Sequence, residues 1–264
     1  MLLQVDNLEV SYGKQVTVSD INLQLEAGEV LSIVGESGSG KTTVIRAIMG
    51  CLPHNGRINA GKIYFSGSNL LHNTSDDWRH MYGSEMAMIF QDSGNMINPI
   101  RQIGSQFIDY IKNQKQNINN ADAYNIACSM LEKMRLANPK NIMKSYPFEL
   151  SGGMRQRVGI AMAMIFKPKL LLADEPTSAL DVTTQAQIIK QLMEIRQEYN
   201  VAIILVTHNL GVAANVSDKI IVMRQGKIVE AGFNEMIINN PQAEYTKQLL
   251  KSVPVIGGFC YYEK

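Results

Sequence analysis

The sequence lacks the features that define several classes of protein. Its three cysteines, Cys51, Cys128 and Cys260, are widely scattered, without the spacing of a metal site or the even number of a disulfide framework. They predict free thiols in a reducing compartment. Neither sign of charge is in excess, because 25 lysines and arginines stand against 24 aspartates and glutamates. This balance gives no electrostatic footprint for non-specific nucleic-acid binding.

Long hydrophobic runs are absent as well. The longest, such as "VAIILV" at residues 201–206, have the length of a strand and are far too short to cross a bilayer. Asp6 and Glu9 interrupt the N-terminus where a signal peptide needs an unbroken apolar stretch, so we do not expect export. A role at a membrane would therefore require another chain to supply the membrane part. The 264 residues suffice for one ample domain, or one domain with a small lobe.

Strand and helix patterns alternate along the rest of the chain. Two N-terminal stretches with strand-like alternation end in turn residues at Gly13 and at Ala27-Gly28. Further strands are predicted at "VLSIV", "KIYFSG", "EMAMIFQ", "KLLLAD" and "VAIILVTH", and helices at residues 41–49, 104–135 and 183–199. The polar stretch "NQKQNINN" predicts a loop within the second helical region. A hairpin turns at Gln225-Gly226, and two short helical patterns follow Asn234. This order indicates an α/β fold with a parallel sheet flanked by helices.

A glycine-rich loop, "GESGSGKTT" at residues 35–43, follows the strand "VLSIV" and precedes a helix. Gly35, Gly40, Lys41 and Thr42 fit the spacing of a phosphate loop. The glycines allow backbone N–H groups to surround phosphate oxygens, Lys41 can reach the β- and γ-phosphates, and the Thr42 hydroxyl is placed to ligate Mg²⁺. Strand, loop and helix in this order make a merely structural glycine turn a poor alternative.

Two acids end the apolar strand "LLLADE". A buried parallel strand delivers Asp174 to the edge of the sheet, where it can hold Mg²⁺. Glu175 can deprotonate or polarise the water that attacks a γ-phosphate. A pair of acids that caps a surface helix would look the same, so this motif is weak by itself.

Three further side chains are candidates that each have an ordinary explanation. His208 ends the strand predicted to neighbour that of Asp174, where it could contact a γ-phosphate, although a lone histidine is more often structural. Gln91 also ends a strand, and its amide could serve Mg²⁺ or the attacking water. Tyr12 closes the first strand, where its ring could stack on adenine or simply lie on the surface.

The stretch "ELSGGMRQR" predicts a helix with an unusual beginning. Ser151 is a good N-cap, but Gly152 and Gly153 follow where better helix formers are usual. Paired glycines at a helix start suggest that an anion approaches the backbone closely. This stretch therefore suggests a second anion site besides the phosphate loop.

These motifs, in this order, resemble the ATP-binding subunits of ABC transporters over residues 2–252. The resemblance rests on Tyr12, "GESGSGKTT", Gln91, "LSGGMRQR", "LLLADEP", "SALD" and "TH". It implies a P-loop NTPase core with a mostly parallel sheet, an N-terminal antiparallel β-subdomain and a helical subdomain that carries the signature. The whole chain, residues 1–264, would be one such domain, with the helical subdomain at about 92–165 and a short C-terminal tail at about 233–264.

The resemblance also assigns roles to residues, with ATP and Mg²⁺ as cofactors. It assigns catalysis to Glu175, His208 and Gln91, and Mg²⁺ binding to Thr42, Gln91 and Asp174. The residues it assigns to ATP binding are Tyr12, Gly35, Glu36, Ser37, Gly38, Ser39, Gly40, Lys41, Thr42 and Thr43. Ser151, Gly152, Gly153 and Gln156 form the signature, which by analogy closes over the ATP of a partner subunit, and Asp181 belongs to the loop after "SAL".

Three longer stretches resemble the importers of oligopeptides, dipeptides and nickel. They are "LPHNGRINAGKIYFSGSNLL", "YPFELSGGMRQRVGIAMAM" and "AEYTKQLLKSVP". The expected partners are a second, related ATPase subunit, two permeases and, indirectly, a substrate-binding protein, with the chain peripheral at the cytoplasmic face of the membrane and no nucleic acid bound.

Two departures from that subgroup stand out. "DSGNMINP" replaces the usual sequence after Gln91, near the expected permease contact, and Cys260 stands alone where some members carry a cysteine-rich extension. No iron–sulphur cluster is therefore expected, and the short C-terminus slightly favours nickel-type members.

Two other functions remain open at this stage. A soluble ABC ATPase of DNA repair would place a long coiled coil between phosphate loop and signature, and a ribosome-associated one would carry two ATPase units. Neither feature is present in the sequence. An exporter's ATPase has the same catalytic motifs, so only the subgroup features favour import.

Overall fold

The computed structural model describes residues 1–91, 96–115, 117–178 and 180–252. Its strands are β1 Leu3–Tyr12, β2 Gln15–Leu25, β3 Val30–Val34, β4 Gly56–Phe65, β5 Ser68–Asn69, β6 Met86–Ile89, β7 Leu170–Asp174, β8 Ala202–Thr207, β9 Lys219–Arg224 and β10 Lys227–Phe233. Its helices are α1 Lys41–Ile48, α2 Ser75–Met81, α3 Ile103–Gln114, α4 Asn120–Lys133, α5 Pro139–Lys144, α6 Gly152–Met164, α7 Val182–Tyr199, α8 Leu210–Val216, α9 Asn234–Asn239 and α10 Glu244–Lys251. Short 3₁₀ turns lie at Leu70–His72 and Pro147–Glu149.

The strands form two sheets. The N-terminal sheet is antiparallel in the order β2-β1-β4-β5. The second sheet has the order β10-β9-β3-β8-β7-β6, and all its neighbouring strands are parallel except β9 and β10. Gln225 and Gly226, both with positive φ, make the turn between those two. The expected mostly parallel sheet and antiparallel N-terminal sheet are both confirmed.

The central strands are mostly apolar, as expected for a sheet that is covered on both faces. Every residue of β3, β7 and β8 is buried. In β8, Ile203 and Leu205 face one core, while Ile204 and Val206 face another. The carboxyl ends of these strands therefore meet at one well-fixed edge.

Three cores hold the molecule together. The first joins one face of the second sheet to helices α3 to α7 around Phe107 and Leu131. The second joins the opposite face and α1 to the N-terminal sheet around Leu8 and Ile45. The third includes Ile237 and Tyr245 of the two last helices, so the segment expected as a short tail is partly built into the fold.

Several local expectations are confirmed and others need correction. The polar stretch around residue 117 does separate α3 from α4, and α7 begins within one residue of the prediction. Helix α2 was not predicted from the sequence, although Thr74 and Asp77 form a capping box at its start. Strand β4 begins at Gly56, well before "KIYFSG", because it pairs along most of β1.

Some expectations fall partly or wholly outside the described residues. These are the first half of "DSGNMINP", the beginning of the helical subdomain, Ala179 of "SALD" and Cys260. Of the described cysteines, Cys51 and Cys128 are free and half-buried. Among the residues described, no helix combines the length and apolar character needed to cross a bilayer.

Candidate functional site

A polar cavity of about 550 Å³ opens at the carboxyl edge of the second sheet. Strands β3, β8 and β7 lie side by side there, so the loops that follow them meet. The lining combines most of the phosphate loop with the residues after three other strands: Gly35, Glu36, Ser37, Gly38, Gly40, Lys41, Thr42, Thr43, Gln91, Glu175 and His208, together with Thr17 and Leu249. The structure thus brings together the candidates that the sequence placed on separate strands.

The phosphate loop is fixed by close packing at two of its three glycines, Gly35 and Gly40. A Cβ at Gly35 would lie 2.2 Å from the Met223 carbonyl oxygen, and one at Gly40 would lie 2.4 Å from Val18 Cγ1. Gly40 also has a φ of 98°, which few other residues adopt. The glycines are therefore required by the surrounding chain as well as by any ligand.

Lys41 extends back over the loop. Its Nζ donates to the carbonyl oxygens of Gly35 and Glu36, both at 2.7 Å. Burial lowers its pKa, while the neighbouring carboxylates of Glu175 and Asp174 oppose that shift. A buried ammonium on the lining of this cavity suits a strongly charged anion.

Thr42 and Asp174 supply the oxygen atoms of the site that suit a metal cation. The Thr42 hydroxyl donates to Asp174 Oδ1 across 3.0 Å. Asp174 is 2 % exposed, and burial raises the pKa of its carboxyl against the opposing effects of the Thr42 hydrogen bond and the Arg46 charge. A hydroxyl and a buried carboxylate at the cavity, with the amide of Gln91 on its lining, fit Mg²⁺.

Glu175 and His208 face each other across the mouth of the cavity. His208 Nδ1 lies 3.2 Å from Glu175 Oε2, and the Glu175 amide donates to Val206 on the neighbouring strand at 3.0 Å. The backbone φ of Glu175 is +44°, a left-handed value that is uncommon for glutamate. This kink turns the Glu175 side chain into the cavity just after the straight strand ends.

Tyr12 lies beside the site rather than in it. It is half-buried, its hydroxyl is 3.4 Å from Thr43 Oγ1, and its ring packs where a side chain at Gly56 would be. It does not line the cavity. Both the stacking role and the ordinary surface role of Tyr12 therefore stay predictions.

The signature glycines differ in what surrounds them. Ser151 caps α6 as expected, because its Oγ accepts from the Met154 amide at 3.3 Å. Gly152 is exposed, and a Cβ there would meet only Leu180 at 3.7 Å. A Cβ at Gly153 would come to 2.9 Å of Thr184 Cγ2 within the same chain. The sequence predicted that an anion approaches the backbone at both glycines. At Gly153, Thr184 of the same chain makes such a close approach, whereas at Gly152 none of the described residues of the same chain does.

Gln156 of the signature and Asp181 of the loop after "SAL" both make hydrogen bonds within the chain. Gln156 is buried, and its Nε2 donates to the Pro176 carbonyl at 2.6 Å. Its role toward a partner's nucleotide therefore stays a prediction, and within the chain the side chain links α6 to the segment after Glu175. Asp181 is exposed and caps α7: its carboxylate accepts from the Thr184 amide and hydroxyl, and these bonds lower its pKa.

Two contacts of the site could not be read from the sequence. Thr184 connects Asp181 to Gly153, and Tyr245 accepts a hydrogen bond from the Glu36 amide of the phosphate loop at 3.2 Å. The only sequence signal for Tyr245 is that it lies in the apolar pattern of a short C-terminal helix. Its contact spans 209 positions, which no local pattern encodes.

The fold and this site define a nucleotide-hydrolysing ATPase of the phosphate-loop class. The family model "ABC transporter" matches residues 18–178, more than half of the chain. The chain is 43% identical over 258 residues to the oligopeptide transport ATP-binding protein OppD of Salmonella typhimurium, covering 96% of this chain and 76% of the relative. It is 42% identical over 258 residues to the dipeptide transport ATP-binding protein DppD of Bacillus subtilis, covering 96% of this chain and 77% of the relative.

Solved structures give the same answer for the fold. A dimeric, post-hydrolysis structure of the ATP-binding cassette MJ0796 with ADP and Pi has a TM-score of 0.77 at 26% identity, covering 88% of this chain and 99% of that one. The cbiO1 structure from Clostridium perfringens has a TM-score of 0.78 at 23% identity, covering 90% and 91%. The chain belongs to the ABC transporter family, as the sequence motifs predicted, and is an ATP-hydrolysing subunit.

Proposed function

We propose that this chain powers a membrane importer of peptides by hydrolysing ATP between itself and a second ATPase subunit. The observation that carries the two-subunit part is the separation of the two anion sites. None of Ser151, Gly152 and Gly153 lines the cavity of the phosphate loop, yet Ser151 and Gly152 are exposed at a helix N-terminus. Such an end attracts phosphate, and here it faces outward.

In this proposal the residues of one subunit bind and orient the nucleotide. The loop amides and Lys41 hold the β- and γ-phosphates, and Thr42, Asp174 and Gln91 hold Mg²⁺. When bound, Mg²⁺ neutralises charge on the phosphate oxygens. Glu175 accepts the proton of the attacking water. His208, which touches Glu175, keeps that carboxylate directed at the γ-phosphate position.

The second subunit supplies the signature. The dimeric form of the related cassette supports this arrangement. In a head-to-tail pair, the exposed end of α6 covers the nucleotide on the partner's phosphate loop and completes the site. Hydrolysis then removes the γ-phosphate, so the contact between α6 and the nucleotide is lost and the two subunits separate. ATP hydrolysis is in this way converted into movement of the subunits.

An apolar groove of about 440 Å³ supports a permease as the partner that receives this movement. It lies between the second sheet and the helical region, and Tyr82, Met88, Phe90, Met96 and Tyr110 contribute to its lining. Met96 belongs to the stretch that departs from the subgroup and is 63% exposed. A permease that fits this groove would hold the chain at the cytoplasmic face of the membrane.

Peptides are the proposed cargo because the relatives above are named as ATP-binding proteins of oligopeptide and dipeptide transport. A substrate-binding protein would deliver the peptide to two permeases. The slight preference for nickel from the short C-terminus gains no support from those relatives. Import itself is tested by reconstitution: peptide with its binding protein should stimulate ATP hydrolysis, and nickel should not. An exporter's ATPase would not respond to a binding protein on the far side.

The variant Gly152→Asp tests the shared site. Its side chain has room within its own chain, since only Leu180 lies nearby at 3.7 Å, so the isolated subunit should bind ATP as wild type does. In the assembled transporter, the added carboxylate would face a γ-phosphate in a water-poor interface and should abolish hydrolysis. Asn125→Asp is the control, because it adds the same charge at an exposed position of α4 with ordinary helical backbone. Weak ATP binding by the isolated variant, or normal assembled activity, would contradict the proposal.

A further inference from the structure

The C-terminal helix α10 reaches the phosphate loop. Tyr245, in its first turn, is 6 % exposed and belongs to the third core. Its hydroxyl accepts from the Glu36 amide at 3.2 Å, and Leu249, one turn further along, lines the cavity itself. The hydroxyl of Tyr245 is therefore the point at which the end of the described chain holds the beginning of the loop.

The turn between β9 and β10 holds the same loop at a second point. The Gly226 amide donates to the Ser39 carbonyl at 3.1 Å, and the Met223 carbonyl fills the space where a Cβ of Gly35 would lie. The Arg224 guanidinium sits over the Tyr245 ring, 4.8 Å from its centre. The two supports thus contact each other, and both hold the phosphate loop.

The tyrosine ring and its hydroxyl have separable roles. The ring packs in the core and carries Arg224, whereas the hydroxyl is the only atom of Tyr245 that bonds to the loop among the contacts described. Burial, helped by the nearby Glu36 carboxylate, raises the pKa of the phenol, so the hydroxyl stays protonated and can accept from the amide while donating elsewhere. Phenylalanine would keep the first role and lose the second.

We infer that Tyr245 is a positioning residue for the nucleotide: it holds the phosphate loop in its binding shape before ATP arrives. Without the hydroxyl, the Glu36 amide loses its partner and the loop samples other shapes. ATP binding must then order the loop, which weakens affinity without altering the bound complex. The inference rests on the proposed function only in that the phosphate loop binds ATP.

The test compares Tyr245→Phe with Tyr199→Phe in the full chain. Tyr199 is the matched control, because its hydroxyl also accepts a hydrogen bond, from Lys133 Nζ, at a position that lines neither the phosphate-loop cavity nor the apolar groove. By calorimetry, Tyr245→Phe should bind ATP about threefold to tenfold more weakly, the range one ordinary hydrogen bond gives, while the control binds normally. In the assembled transporter, KM for ATP should rise by a similar factor with kcat at saturating ATP within about twofold of wild type.

Each other result overturns the inference. Unchanged ATP affinity in Tyr245→Phe would show that the hydroxyl only stabilises the fold, as would an equal loss in the control. A fall in kcat with unchanged KM would place the hydroxyl in closure of the dimer instead. The result for Tyr245→Phe can be distinguished from that for Gly152→Asp. The ATP affinity of the isolated subunit tests the role of Tyr245, and it does not depend on whether the signature binds a partner's nucleotide.

Discussion

Thr42 and Asp174 are 132 positions apart in the sequence, yet the Thr42 hydroxyl donates to Asp174 Oδ1 across 3.0 Å. The parallel order β3-β8-β7 brings the two strand ends to one edge of the sheet. Burial of the Asp174 carboxyl comes with this position and raises its pKa. In the metal-free protein, the ionised form of Asp174 is thus less favourable than that of an aspartate in water, and a cation would offset this.

Replacement of Asp174 by asparagine separates stability from function. Asparagine removes the buried charge and keeps an oxygen that can accept from Thr42, so without Mg²⁺ the variant should have a higher Tm than wild type. Hydrolysis should fall by at least about 10²-fold, because the carboxylate ligand is lost. Differential scanning fluorimetry and an ATPase assay measure the two effects. Asp76→Asn, at an exposed surface ion pair, should change neither, and a lower Tm for Asp174→Asn would contradict the argument.

The Tm difference between Asp174→Asn and wild type should depend on pH. The folded-state pKa of Asp174 lies above the ordinary value of 3.8, so folding favours the protonated acid. The cost of the ionised carboxylate is fully present above the raised pKa and disappears as pH falls towards 3.8. The advantage of the variant without Mg²⁺ should therefore be largest at neutral pH and shrink on acidification. A constant difference from pH 8 downwards until both proteins unfold would argue against a buried, ionised Asp174.

Glu175→Gln should bind ATP normally and hydrolyse it about 10²- to 10⁴-fold more slowly, the usual effect of losing a positioned base. Glutamine can occupy the same left-handed backbone and still contact His208, so the local geometry is kept while the proton acceptor is lost. It also removes a negative charge near the γ-phosphate position, and the ATP-bound dimer should accumulate. Size-exclusion chromatography with ATP and a turnover assay in the assembled transporter measure both effects. Substantial turnover would remove Glu175 from the role of base.

Tyr12 gives a test of adenine stacking. If the ring stacks on the base, Tyr12→Ala should lower ATP affinity by about 1–3 kcal/mol, whereas Tyr12→Phe should retain most of it. The hydroxyl is 3.4 Å from Thr43 Oγ1, too long to contribute much itself. Isothermal titration with ATP and with inorganic triphosphate separates the effects, since triphosphate has no base to stack. Equal ATP affinity in Tyr12→Ala and wild type would leave Tyr12 an ordinary surface residue.

The sequence predicted those parts of the site that depend on local pattern. The apolar strands "LLLAD" and "VAIILVT" must be buried on both faces, so Asp174, Glu175 and His208 had to emerge at one sheet edge. Residue spacing alone identified the phosphate loop. The N-cap at Ser151 followed from its chemistry, and the structure confirms it.

Contacts between distant segments could not be predicted in the same way. The sequence places Gln156 in the signature without showing that helix packing buries it against Pro176. Tyr245 looks like one apolar position of a terminal helix, and its contact with Glu36 depends on where that helix docks. The contact between Thr184 and Gly153 could not be predicted either, because the two residues lie on different helices.

The contact between Gly153 and Thr184 explains why the second signature residue after Ser151 is glycine. An added Cβ would lie 2.9 Å from Thr184 Cγ2. Thr184 cannot turn away without losing the bond from its hydroxyl to Asp181 Oδ2, which is 2.7 Å long. The beginning of α6 and the beginning of α7 are therefore positioned together, and Thr184 determines where the signature is held relative to Asp181.

A compensating pair of substitutions tests this relationship. Gly153→Ala should lower ATP hydrolysis of the assembled transporter by about tenfold, since overpacking of about 1–3 kcal/mol must shift α6 or break the Asp181 bond. Thr184→Ser deletes the obstructing methyl group and keeps the hydroxyl, so alone it should be near wild type, and in the double variant it should restore most of the activity. All three isolated subunits should bind ATP normally, because the phosphate loop is unchanged. Gly152→Ala is the matched control: its Cβ meets only Leu180, so Thr184→Ser should not alter its activity. If the double variant is as inactive as Gly153→Ala, glycine at 153 is required by the partner's nucleotide, and the packing against Thr184 is incidental.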